Sequence, residues 1–302
     1  MDTAIIITTK DRVSYLFRAV DSIFEQTIKP NEIIIVDDCS IVKVPEQILS
    51  LYKSKASNLD IVLKYYYNPV SMGGNFSRNF GANNTSAEIL FFLDDDDIYT
   101  PNAIEDKLTI FKHDNNIGMV YTGIKFVTSD NLETIKRYKR PLSKKISFHS
   151  LLKFGNIVGP TSSVAVRKND FIKAGMFDKD LIAMQDYELW IRMARCSDVV
   201  HDNGMNLIYT IHTTGEQISS KHEKYLRAAE YIFNKFSKEI EALNAHHHFW
   251  SEVYFRVALS ASHSSEFKKI RYASKSFLLR PSIKSLALLL PTFALRKIKP
   301  FV

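Results

Sequence analysis

Four consecutive aspartates, Asp94 to Asp97, close an apolar run of Ile89, Leu90, Phe91, Phe92 and Leu93. The run reads as a buried strand, and the acids stand where that strand leaves the core. Four adjacent carboxylates repel one another, so a fold that keeps them must offset their charge. Hard divalent cations take carboxylate oxygens and are the usual counter-charge. The quartet therefore points to a site that handles a metal and, through it, a phosphate.

The residues before the quartet alternate strand and helix signals. Ala4 to Thr8 reads as a strand, and Asp11 is placed to cap a helix whose stripe runs Leu16, Val20, Ile23, Phe24. Ile33 to Val36 is short and fully apolar, as a parallel strand covered on both faces requires, and ends at Asp37 and Asp38. Ile61 to Tyr67 reads as a third strand. A turn at Gly73 and Gly74 follows, then a short helix through Arg78 and Asn79, then the strand Ile89 to Leu93. This order predicts a doubly wound, mostly parallel α/β sheet with its ligand site beyond the carboxyl ends of the strands. Asp37, Asp38 and the quartet fall on that edge.

Further on, Pro101 fits the first turn of a helix to about His113. Val164 to Val166 and Leu207 to Ile211 read as strands, and Asp186 to Cys196 as a helix. From about Lys221 the pattern is helical, broken at Pro281 and Pro291.

A hydrophobic share of 45% supports a sizeable core and excludes wholesale disorder. The formal charge of +7 allows nucleic acid, anionic lipid or anionic substrate as partner, and the excess cations gather near the C-terminus. Two cysteines, Cys39 and Cys196, suit a reducing compartment rather than a disulfide framework. The N-terminus carries no signal-peptide pattern and no apolar run is long enough for a transmembrane helix, so a cytoplasmic location is expected.

Five ordered segments resemble the family 2 glycosyltransferases, which have the GT-A fold: IIITTKDR, EIIIVDDCS, GGNFSRNFG, ILFFLDDDDIYTP and QDYELWIRMA. The resemblance spans about the first 220 residues. It implies a GT-A catalytic domain over 1–220, with a nucleotide-binding half to about residue 100 and an acceptor half beyond it; the residue pattern beyond that domain reads as a helical, basic amphipathic region over 221–302. It also implies roles. Thr9, Asp37 and Asp38 lie at the nucleotide, one aspartate accepting from the base ring N–H. Arg78 sits beside the base or diphosphate. Asp94 and Asp96 are the D-x-D pair, with Asp96 the main ligand of Mn²⁺ or Mg²⁺, Asp94 facing the ribose or a metal-bound water, and Asp95 among the nucleotide-sugar contacts. Asp186 is the general base. Within Tyr209 to Ser220, His212 is an additional metal or phosphate contact.

Two departures matter. Gln185 stands where the family usually has Glu, which keeps hydrogen bonding and loses a charge. A Gln-x-x-Arg-Trp motif is missing after Asp186, which favours addition of one sugar over polymer synthesis.

The resemblance implies an inverting transfer from a nucleoside-diphosphate sugar, a UDP-sugar first, to a saccharide or lipid-linked saccharide in surface-polysaccharide assembly. The basic-apolar tail from Lys268 onward is read as a segment for the anionic inner face of the membrane, making the protein peripheral there. No nucleic-acid module is visible. The rival readings are a sugar-phosphate nucleotidyltransferase, which wants a glycine-rich loop that TTKDR lacks, and a non-catalytic carbohydrate or membrane module.

Alone, each residue has a plainer reading: the quartet a solvated turn, Arg78 a surface charge, Asp186 a helix cap, His212 an ordinary strand residue. His246, His247 and His248 read as a solvated helix face, and Trp190 and Met193 as core. Gly159, Pro160 and Thr161 read equally as an acceptor loop or a plain turn.

Overall fold

A computed structural model describes residues 1–142, 145–212, 222–262 and 264–295. The expectations for residues 213–220, and for Arg296, Lys297 and Lys299 of the basic tail, lie outside these. The strands are β1 Thr3–Thr9, β2 Glu32–Asp37, β3 Val62–Tyr67, β4 Ile89–Asp94, β5 Ile98–Tyr99, β6 Ile117–Tyr121, β7 Ile124–Thr128, β8 Arg137–Lys139, β9 Lys145–Ile146, β10 Val164–Arg167, β11 Asp198–His201 and β12 Leu207–Ile211. The first seven helices are α1 Val13–Phe24, α2 Glu46–Ser57, α3 Gly74–Asn83, α4 Ala103–His113, α5 Phe148–Phe154, α6 Lys168–Lys173 and α7 Gln185–Cys196. The later ones are α8 His222–Lys235, α9 Ser237–Ala242, α10 His246–Ala261, α11 Glu266–Leu279, α12 Ile283–Ala287 and α13 Thr292–Leu295.

Contacts divide the chain into two units. The first comprises Met1–Ser147, Val158–Asp180 and Gln185–Thr213. Its main sheet has the order β3-β2-β1-β4-β10-β6-β11-β9. The β3-β2-β1-β4 half is parallel, and β10 inserts antiparallel between β4 and β6. Ala4 to Ile7, Ile33 to Val36 and Ile89 to Phe92 are all inaccessible to water. Each buried aliphatic side chain is worth about 1.5–3 kcal/mol against an exposed one, which holds these strands in place. Helix α1 buries Leu16, Val20 and Ile23, one stripe at helical spacing. Helix α3 comes close to β1 because Gly81 has no side chain: a Cβ there would stand 2.6 Å from Ile6 Cγ2. A second sheet, β5-β12-β7-β8, follows the quartet.

Two local expectations are corrected. Asp11 does not cap α1. It takes a left-handed backbone (φ 55°), its carboxylate accepts from the Ile41 amide at 2.6 Å, and Arg12 occupies the cap position without a side-chain bond to the helix amides. The acid thus ties two loops together instead of serving the helix. Pro101 lies just ahead of α4, which begins at Ala103, and its carbonyl accepts from the Thr27 amide.

The second unit comprises Phe148–Ile157, Leu181–Met184 and Thr214–Val302. Its described secondary-structure elements are all helices. Ala258, Ala273, Leu288 and Leu295 form one small core, and the Ser251 and Ser276 hydroxyls bond across α10 and α11. Helix α11 buries Lys269, Ala273 and Ser276 and leaves Phe267, Ile270, Arg271, Lys275 and Leu278 exposed. In α12, Ile283, Lys284 and Leu286 are exposed. Among the described residues no helix is long and apolar enough to cross a membrane.

Candidate active site

The parallel strands end together. Register sets Tyr67 beside Asp37, Asp37 beside Thr9, and Thr8 beside Asp94. This is the edge where open α/β sheets bind ligands.

The quartet at that edge divides in two. Asp97 is 0% exposed and Asp95 5%, whereas the Asp94 and Asp96 side chains keep 29% and 16%. The alternation follows from extended chain passing into a turn closed by the Asp97 amide on the Asp94 carbonyl. Both oxygens of each buried member are engaged. Asp95 accepts from Thr9 Oγ1 at 2.7 Å and Arg12 Nη1 at 3.4 Å. Asp97 Oδ1 accepts from the Thr210 amide at 2.9 Å, and its Oδ2 bonds Ser162 Oγ at 2.5 Å. Burial pushes the Asp95 carboxyl up to about 7, with the Asp96 charge adding to the shift. Burial, then Asp96 and Asp94, raise Asp97 well above the carboxylate range.

The accessible members each keep one oxygen that accepts no hydrogen bond among the described residues. Asp94 Oδ1 takes Arg78 Nη2 at 2.5 Å. Arg78 is itself buried, 5.5 Å above the Phe177 ring, and Gly74 makes room for it: a Cβ there would lie 3.0 Å from Nη1. Asp96 Oδ2 meets Arg12 Nη1 and His212 Nε2, each at 2.7 Å, while its carbonyl accepts from Arg18 and Thr210 Oγ1. Burial works against the charge on Arg12, but Asp95 and Asp96 outweigh it and hold the guanidinium above its ordinary pKa.

Thr9, Arg78, Asp94, Asp95, Asp96 and His212 therefore share one bonded neighbourhood. Asp37 and Asp38 bond a different set. Asp37 accepts from the Ser40 amide and the Tyr65 hydroxyl at 2.8 and 2.6 Å. Asp38 accepts from Asn68, Ser71, Ser77 and the Met72 and Gly73 amides. Burial works to raise Asp38, but these donors outweigh it and hold the carboxyl below its usual range. Asp38 thereby fixes the turn that starts α3 and so the base of the Arg78 helix.

Asp186 stands half-buried in the first turn of α7 and accepts from the Tyr187 amide at 2.7 Å. Trp190 of α7 donates its indole N–H to the Gly159 carbonyl at 3.1 Å. Three residues on, Ser162 bonds Asp97 and accepts from the Asp94 amide. One short turn thus connects the Asp186 helix to the quartet. Burial raises the Tyr209 phenol far above its ordinary value, and Asp97, Asp94, Asp96 and Asp186 all add to the shift. Tyr209 thus feels Asp186 and the quartet together.

Arg12, Arg18, Ser162, Tyr209 and Thr210 were not singled out from sequence. Arg12 had a signal, a cation just past the first strand. The others reach the quartet only through long-range pairing.

Among the described residues no three acids, histidines or cysteines converge as a preformed metal centre. The donor set still suits a hard divalent ion. Two carboxylates with spare oxygens and one imidazole leave further positions for phosphate and water, as Mg²⁺ and Mn²⁺ favour.

The sequence profile described as glycosyl transferase family 2 matches residues 4–174. An uncharacterized glycosyltransferase of Rickettsia typhi is 29% identical over 246 residues, covering 78% of this chain and 72% of its own. The fold is similar to that of Staphylococcus aureus TarS 1–349 in complex with UDP-GlcNAc (TM-score 0.62, 16% identity, 96% of this chain and 84% of that one). It is also similar to the mannosyltransferase PcManGT of Pyrobaculum calidifontis in complex with GDP-Man and Mn²⁺ (TM-score 0.61, 17% identity, 99% and 81%).

Proposed function

The chain belongs to glycosyl transferase family 2, and from that premise we propose an inverting, divalent-metal-dependent transfer of one sugar from a nucleoside-diphosphate sugar to an acceptor hydroxyl. The observation that carries the reading is the division of the quartet. Asp95 and Asp97 are locked inside the protein, and Asp94 and Asp96 each offer a free oxygen at the carboxyl edge. Asp94, Asp96 and His212 would hold Mn²⁺ or Mg²⁺, which when bound supplies positive charge to the diphosphate leaving group. Arg78 and Arg12 are placed to share that charge. Thr9 and Asp95 fix the first strand end, and the Asp37–Asp38 pair stands for the nucleobase. Asp186 would take the proton of the attacking hydroxyl, a role typically worth about 10²–10⁴-fold in rate. One displacement inverts the anomeric centre.

The donor is taken first as a UDP-sugar, the class bound by TarS, although PcManGT holds GDP-Man. The acceptor is proposed to be a lipid-linked saccharide of surface-polysaccharide assembly at the inner face of the membrane. On this reading residues 1–220 are the catalytic region and 221–302 the membrane-facing one. The mixture of exposed Phe267, Ile270, Leu278, Ile283 and Leu286 with Arg271, Lys275 and Lys284 supports it.

A panel of nucleotide sugars, each with and without Mn²⁺, tests the donor by thermal shift. One nucleotide class should stabilise the protein only with the ion. Stabilisation by none of them would remove the proposal.

A further inference from the structure

The second sheet carries an arginine that the donor chemistry does not use. Register pairs Arg137 of β8 with Phe126 of β7, and Phe126 with Tyr209 of β12. Directly paired residues share a sheet face, so the three form one row across three strands. The Arg137 guanidinium lies 4.2 Å from the Phe126 ring centroid, and that ring meets Tyr209 edge-on at 5.6 Å. Tyr209 is the phenol that feels Asp186 and the quartet. Two residues along β8, Lys139 lies on the same face and approaches the Gly159 turn, with Nζ 3.5 Å from the Val158 carbonyl. That turn receives the Trp190 indole of the Asp186 helix.

The bonding of this row differs from that of the edge. Arg12 and Arg78 each bond a quartet carboxylate. The Arg137 guanidinium makes no hydrogen bond or ion pair among the described residues. Arg137 is exposed to solvent, so an anion can reach the stacked guanidinium. A planar cation stacked on an aromatic ring is pre-oriented for two-point bonding to a carboxylate or phosphate. Two strand spacings, about 9–10 Å, separate the Arg137 and Tyr209 backbones, and Arg137 bonds no quartet carboxylate among the described residues, unlike Arg12 and Arg78.

We infer that Arg137 forms an anion subsite on the acceptor side, holding a phosphate or carboxylate of the acceptor near the hydroxyl that Asp186 deprotonates. The inference rests on the reading of Asp186 as base and of the quartet as donor site. It adds that the acceptor is negatively charged close to the point of attack.

The test uses the full chain with UDP and Mg²⁺ saturating, so that the donor site is filled. Saturation-transfer NMR is recorded with glucose 1-phosphate, glucuronate and neutral methyl glucoside as probes. The phosphate and carboxylate probes separate the two anion chemistries. Binding of at least one charged probe and not of methyl glucoside is expected. Arg137→Ala should weaken it roughly tenfold, with Arg137→Lys between the two. The UDP–Mg²⁺ thermal shift should be the same in all three proteins. Charged probes that fail to bind, or that bind Arg137→Ala as well as the parent, overturn the subsite. Loss of the UDP–Mg²⁺ shift in Arg137→Ala would move the residue to the donor and also overturn it. If the parent shows no UDP–Mg²⁺ shift, the donor reading fails, and the same comparison on the free protein still decides the role of Arg137.

Discussion

At the end of β4, Asp95 and Asp97 lie almost wholly out of water, and every oxygen of both is bonded to the protein. In α11 and α12 the opposite holds: Leu278 and Ile283 stand 80% and 78% exposed, with Lys275 and Lys284 in solvent nearby. The first region takes carboxyl groups inside and pins them with hydrogen bonds from β1, the Ser162 turn and β12. The second leaves apolar surface outside, flanked by cations. Buried, cross-bonded carboxylates suit a small ligand that must be held in one geometry. Exposed apolar side chains among lysines suit a partner that is itself a surface. The two regions thus demand different experiments, one reading chemistry and one reading partition.

The strongest break in the comparison comes from Asp186→Asn. Transfer should fall about 10²–10⁴-fold while nucleotide binding is kept, as stopped-time product assays and calorimetry would register. Full turnover would remove Asp186 as base. Next, Asp96→Ala should abolish the ion-dependent part of nucleotide stabilisation. The expected loss exceeds the roughly 10–100-fold that changes behind a metal ligand cost. A variant that keeps its Mn²⁺-dependent shift would separate the quartet from the ion.

Asp97→Ala strips the partner from the Ser162 hydroxyl and the Thr210 amide. It should cost about 1–3 kcal/mol in denaturant unfolding, and a neutral result would show the buried half of the quartet to be dispensable. Asp38→Asn sharpens the account through pH. The Asp38 carboxyl is held below its ordinary range, so its contribution to stability is present above the unfolded-state value near pH 4 and is lost as pH falls through the lower folded value. The gap between parent and variant should therefore be constant near neutrality and close in acid. A gap that widens in acid would reverse the assignment. The smallest effect is in the tail. Lys284→Ala should weaken binding to anionic vesicles by about 1 kcal/mol and leave neutral vesicles unaffected. No change would count against the membrane surface.

The parallel half of the fold was legible because strands covered on both faces need short, wholly apolar runs. Ala4 to Ile7, Ile33 to Val36 and Ile89 to Leu93 satisfy that, each followed by polar residues where the chain must turn. Of the second sheet only β12, Leu207 to Ile211, was legible. Strand β5 has two residues, β8 is the polar triplet Arg137–Lys139, and both depend on distant partners. Asp11 misled because an acid before a helix reads as a cap, whereas here the Ile41 amide, thirty residues on, takes the carboxylate. In the site, the resemblance set Asp94 and Asp96 apart as a pair but did not give the burial and bonding of Asp95 and Asp97. That bonding depends on Thr9, Ser162 and Thr210 arriving from three separate elements, which local pattern does not encode.

The most direct test is a crystal of the full chain grown with UDP and Mn²⁺ and measured at the manganese edge. The account predicts an anomalous peak within coordination distance of the Asp96 carboxylate and of the diphosphate, with Asp95 and Asp97 still bonded as before. A nucleotide bound with no peak there, or a peak held by other residues, would contradict it.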